Sequence, residues 1–89
     1  MDIKIHYKTL PNGMKPEEFK LDLAQLLDGI GWLTGSKNDP AGSFVELELE
    51  EERNNPKYGI IALKNHLQSM GMPEEAAMEM DGIVVGVYE

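Results

Sequence analysis

Two histidines, a run of glutamates and a group of closely spaced glycines are the residues with chemistry to offer. His6 lies in Lys4-Ile5-His6-Tyr7-Lys8, and His66 in Lys64-Asn65-His66-Leu67. An imidazole beside carboxylates titrates near neutrality and can move a proton, so His6 is the one candidate for acid–base work. Neither histidine stands at a spacing that pairs it with a second metal ligand. The chain has no cysteine, which excludes a disulfide, a thiolate zinc site and a cysteine nucleophile. Gly29-Ile30-Gly31 through Gly35 imitates a phosphate loop. A phosphate cradle needs strand, loop and helix in that order, whereas these glycines follow a helical segment and lack the accompanying lysine. Asn38-Asp39-Pro40 carries a single carboxylate, far short of the oxygen cage that calcium requires. No serine has a neighbourhood that marks a nucleophile. The expectation is no catalytic residue, no metal and no cofactor.

The acidic run is Glu46, Glu48, Glu50, Glu51 and Glu52. Val45, Leu47 and Leu49 alternate with its first members, the period of a strand with one buried face. Glu46, Glu48 and Glu50 therefore line a solvated sheet face, together with Phe44. Glu51 and Glu52 lie beyond the alternation and stay free for a partner. Residues 2–9 alternate in the same way: Ile3, Ile5 and Tyr7 on one side, Lys4, His6 and Lys8 on the other.

The remaining elements follow from periodicity and punctuation. Pro11-Asn12-Gly13 breaks the first strand. Pro16, Glu17 and Glu18 suit a helix start. Phe19, Leu23, Leu26, Leu27 and Ile30 form one apolar stripe, with Asp22, Gln25 and Asp28 toward water and Gly29 and Gly31 as the stop. Trp32-Leu33-Thr34 is a short strand, Ser36 to Gly42 a hairpin loop, and Ser43 to Arg53 a strand. Asn55-Pro56 opens a second helix, whose stripe is Ile60, Leu63, Leu67 and Met70. Gly71 and Pro73 end it. Gly59 inside that helix costs about 1 kcal/mol relative to alanine. Ile83 to Tyr88 is a valine-rich strand. Asp81-Gly82 before it signals a tight hairpin, which favours a strand over a helical turn for Ala77 to Met80.

Strand, helix, strand, strand, helix, strand is an α+β order. It resembles, at the level of fold alone, the ferredoxin-like βαββαβ sandwich: a four-stranded antiparallel or mixed sheet with both helices on one face, plus an extra C-terminal hairpin. Right-handed crossovers place the first and third strands side by side, here expected to run parallel. Lys4, His6 and Lys8 then face Glu46, Glu48 and Glu50, and opposite charges on adjacent strands stabilise a sheet.

All 89 residues fit one domain. Sixteen acids against eight Lys and Arg give a net charge of −8. This excess argues against nucleic acid and against anionic membranes. The N-terminus lacks a signal peptide's pattern, so the expected location is the cytoplasm. The expected function is a small acidic, non-enzymatic protein-binding or regulatory domain, for example an inhibitor or immunity-type protein. Its contacts would be Lys4, His6, Phe44, Glu46, Glu48, Glu50 and Tyr88, with a protein partner or a second copy of the chain. The alternative is a small dimeric ferredoxin-like enzyme or ligand-binding protein that uses His6 or Tyr7.

Overall fold

The fold of the chain is described from a computed structural model. It describes residues 1–39, 41–50 and 56–88, with residues 56–58 described by their backbone alone. Five strands and two α-helices follow one another as β1 (Asp2–Tyr7), α1 (Pro16–Leu26), β2 (Gly31–Lys37), β3 (Ser43–Leu49), α2 (Pro56–Ser69), β4 (Ala77–Met80) and β5 (Ile83–Gly86). The sheet order is β2-β3-β1-β4-β5, and every pairing in it is antiparallel.

The first and third strands are neighbours, but they run antiparallel, with Ile3 opposite Leu47 and Ile5 opposite Val45. The expected parallel direction is wrong for a simple reason. The α1 crossover returns the chain in the direction of β1, and the β2–β3 hairpin then reverses it. The sheet also has five strands rather than four. Ala77–Met80 forms β4 and takes the place beside β1, while Ile83–Gly86 hairpins back as β5 on the outside. Asp81 and Gly82 turn that hairpin with φ of 51° and 79°, the left-handed pair that a tight two-residue turn requires.

Alternation decides which side of each strand is buried. Ile3, Ile5, Tyr7, Val45, Leu47, Leu49 and Met78 form one cluster with Phe19, Leu23 and Leu27 of α1 and Leu63 and Leu67 of α2. Both helices therefore cover the same sheet face. The Tyr7 ring meets Phe19 edge-on, with centroids 5.3 Å apart. Among the described residues no polar or charged side chain is buried, so the core contains no ionised group to compensate.

Two interhelical and helix–sheet contacts have no counterpart in the periodic pattern. Asp22 was expected to face water, yet its Oδ2 lies 2.5 Å from Nε2 of His66 and ties α1 to α2. Gly59 is buried, and a Cβ there would lie 3.0 Å from a Leu49 methyl. The glycine lets α2 sit closer to β3, a packing reason for a residue that weakens a helix on its own.

Candidate functional site

The helices leave the opposite sheet face uncovered, and its side chains fall in rows across the strands. The upper row runs Trp32, Glu48, Asp2. Since Ile3 pairs with Met80, the next residue, Asp81, lies on the far side of Asp2. The middle row runs Glu46, Lys4, Glu79, Val84. The lower row runs Lys37, Phe44, His6, Ala77. The alternation of the first strand is what lifts Lys4 and His6 into this face, while Ile3 and Ile5 hold it down.

Lys4 anchors the middle row. Its Nζ is 3.9 Å from Glu46 Oε2 and sits 4.8 Å from the centre of the Phe44 ring, a cation–π distance. The hydroxyl of Thr34 donates to Glu46 at 3.4 Å. His6 Nε2 lies 2.9 Å from Glu79 Oε1, and its ring leans against Phe44. Four of the expected contact residues, Lys4, His6, Phe44 and Glu46, thus meet in one interacting patch. Glu48 joins the same face one row up.

The other two expected residues, Glu50 and Tyr88, stand outside the strands. Glu50 stands past the end of β3, and its backbone N–H donates to the Ile30 carbonyl at 2.8 Å. Tyr88 follows β5, and its hydroxyl donates to the Met72 carbonyl where the chain leaves α2. Val87 beside it is fully buried on the core side, in step with Val85 opposite Met78, so the Tyr88 hydroxyl bond rather than a break in alternation sets where Tyr88 is held. Lys8 falls outside β1, which shortens the basic row to Lys4 and His6. Glu51 and Glu52 lie outside the described residues, as do Pro40 and Asn55.

Several members of the face are absent from the sequence reading as contact residues: Asp2, Trp32, Glu79 and Asp81. Glu79 and Asp81 become visible only once β4 is known to flank β1. Trp32 is half exposed, although its neighbours in β2 suggested no particular face.

A second feature lies at the other end of β1. Two open clefts, of about 390 and 360 Å³, share Tyr7, Lys8, Asp39 and Ser43 as walls. The Tyr7 hydroxyl donates to Asn38 Oδ1 at 3.4 Å. Burial pushes this phenol above its ordinary value of 10.0; a hydrogen bond with Ser43 works against the rise, and the charge of Glu17 adds to it. The folded state therefore holds the phenolic proton more tightly than the unfolded chain does. Tyr7's contribution to stability is complete below about pH 10 and is lost as pH rises through the higher folded value. Tyr7→Phe is expected to flatten the alkaline fall in stability relative to the wild-type protein, and to cost at most about 1 kcal/mol near neutrality, the worth of one weak hydrogen bond. Urea midpoints measured between neutral and strongly alkaline pH test this; parallel curves for the two proteins would contradict it.

Among the described residues no group of three or more His, Asp or Glu is placed to hold a metal ion. No described helix is long and apolar enough to cross a membrane. No protein-family model matches the chain, and neither a curated protein nor a solved structure matches it.

Proposed function

We propose that this chain is a small, non-enzymatic protein-binding domain of the cytoplasm, working through the uncovered face of a ferredoxin-like sheet. The order β2-β3-β1-β4 with two strand–helix–strand units supports that fold reading, and β5 extends it by one hairpin strand. The observation that carries the functional reading is the mixture on the open face. Trp32 is 50% exposed and Val84 60% exposed, on either side of charged rows held by Lys4 and Glu46. Aromatic and apolar anchors among polar groups are the composition of a protein contact surface. An inhibitor or immunity-type role, in which the domain covers a site on another protein, is one concrete form of this reading.

Affinity capture from the source cells tests it, with the wild-type protein compared with a Trp32→Ser, Val84→Lys double variant. Both side chains are exposed, so the variant is expected to fold normally. The expected result is a defined partner retained by the wild type and lost from the variant. Retention of the same proteins by both would remove the open face from consideration.

A second reading has one observation behind it, the paired clefts around Tyr7, which suit a small ligand. Shift of the melting temperature across a metabolite panel checks it, with Tyr7→Phe and Lys8→Ala expected to abolish any genuine shift.

A further inference from the structure

The charges on the open face are unevenly satisfied. In the middle row Lys4 sits between Glu46 and Glu79. In the upper row Asp2 stands directly opposite Glu48, with Asp81 on its other side. Like charges directly opposite one another destabilise a sheet. A cleft of about 280 Å³ lies between the two rows, walled by Asp2 and Asp81 of the upper row and by Lys4, Glu46 and Glu79 of the middle row, with Glu48 and Trp32 outside its walls. Its single lysine is already engaged with Glu46 at 3.9 Å. At the end of the same row Trp32 presents a half-exposed indole next to Glu48 in the ladder.

We propose that the open face docks an arginine-bearing basic segment of another protein, with one guanidinium seated in this cleft between Asp2 and Asp81 and the segment running on along the row past Glu48 and Trp32. This rests on the protein-binding reading above and names the chemistry of the partner. Charge complementarity selects the occupant: the upper row offers three carboxylates and no cation. A guanidinium is planar and forked, matches paired carboxylates in two directions at once, and stacks on an indole, whereas an ammonium does only part of this. The same charges argue against a second copy of the chain on this face. Each copy carries a net charge of −8, and two acidic molecules repel, whereas a basic segment is attracted.

The test uses the full chain, isotope-labelled for NMR, titrated with a blocked hexa-arginine peptide at low and at physiological ionic strength, with hexa-lysine as the comparison. Shifts are expected to concentrate on the amides of residues 2, 46, 48, 79 and 81 and on the Trp32 indole, with arginine binding more tightly than lysine. The Asp2→Asn, Glu48→Gln double variant is expected to bind hexa-arginine about tenfold more weakly. Its unfolding midpoint should rise, because the opposed charges are gone. A Glu17→Gln, Glu18→Gln variant on α1 should bind unchanged. Equal shifts around Glu17, Glu18, Glu74 and Glu75 would mean diffuse attraction and overturn the inference, as would unchanged affinity in the double variant. If partner capture depends on Trp32 and Val84 but not on Asp2 and Glu48, the cationic assignment alone fails. If capture is indifferent to all four, the protein-binding reading fails with it.

Discussion

Phe19→Ala is expected to remove most of the stability of this protein. Phe19 is fully buried, and it bridges α1 to the sheet by meeting Tyr7 edge-on at 5.3 Å. Truncating a buried phenylalanine costs about 3–5 kcal/mol, part lost transfer energy and part cavity. Domains have only about 5–15 kcal/mol in total, and short ones lie toward the lower end. Urea unfolding followed by far-UV circular dichroism should show a large fall in midpoint, or no folded baseline at all. Phe19→Leu keeps much of the apolar volume and is expected to cost less. A loss below about 1 kcal/mol in the alanine variant would mean that α1 does not pack on the sheet as described.

Gly31→Ala is the second large effect, and it acts through the backbone. A Cβ at this position would lie 2.3 Å from the Glu48 carbonyl oxygen and 3.2 Å from the Leu49 Cα. These are main-chain atoms of a paired strand, so no rotamer change relieves the contact. The junction is also pinned on both sides. The Gly31 N–H donates to the Leu27 carbonyl at 2.8 Å, and the Glu50 N–H donates to the Ile30 carbonyl at 2.8 Å. Overpacking costs about 1–3 kcal/mol and occasionally more, and an obstruction made of backbone belongs at the upper end. Gly35→Ala is the matched comparison. Its nearest neighbour would be the end of the Glu46 side chain at 3.7 Å, an ordinary contact, and the expected change is within about 0.5 kcal/mol. Similar losses from both substitutions would show that β2 is weakened by any side chain, not by this close approach. The glycines that imitate a phosphate loop thus have a packing explanation, at least at Gly31.

What the chain discloses by itself is whatever repeats with a fixed period. Ile3, Ile5 and Tyr7 against Lys4 and His6 identified both faces of β1, and Val45, Leu47 and Leu49 did the same for β3. Phe19, Leu23, Leu27, Leu63 and Leu67 identified the buried sides of the helices, and all five are buried. The Asp81-Gly82 pair located the last hairpin because its φ angles demand those residue types. Strand direction was another matter. Alternation reads the same forward and backward, so direction had to come from the order of elements: a crossover followed by a hairpin already makes β3 oppose β1, and the parallel expectation overlooked that reversal. Nor could alternation show how far β2 runs: Gly31–Lys37 contains a register shift between Leu33 and Gly35, and a bulge interrupts the period by which a strand is recognised.

The site was legible to the same degree. Lys4, His6, Phe44 and Glu46 meet because each is an outward residue of an alternating strand. Asp2 and Trp32 sit at the ends of their strands, where a period has little to count. Tyr88 lies past the end of β5, and the bond from its hydroxyl to the Met72 carbonyl is a long-range contact that no period encodes. Long-range pairs such as His66 with Asp22 depend on how two helices are set on the sheet, and no local pattern encodes that.

The central place of β1 bears on how the chain reaches this state. Its partners are residues 43–48 on one side and 77–80 on the other. β1 precedes every other strand of the sheet yet is among the last to be completed, since its second edge waits for residues 77–80. Contacts so distant in sequence must meet their loop-closure cost before they return any stability, which slows folding. In the interval Ile3, Ile5 and Tyr7 form an apolar strand with an open edge, the kind of segment on which nascent chains aggregate. Lys4, alternating with those residues, carries a charge into that exposed strand from the beginning.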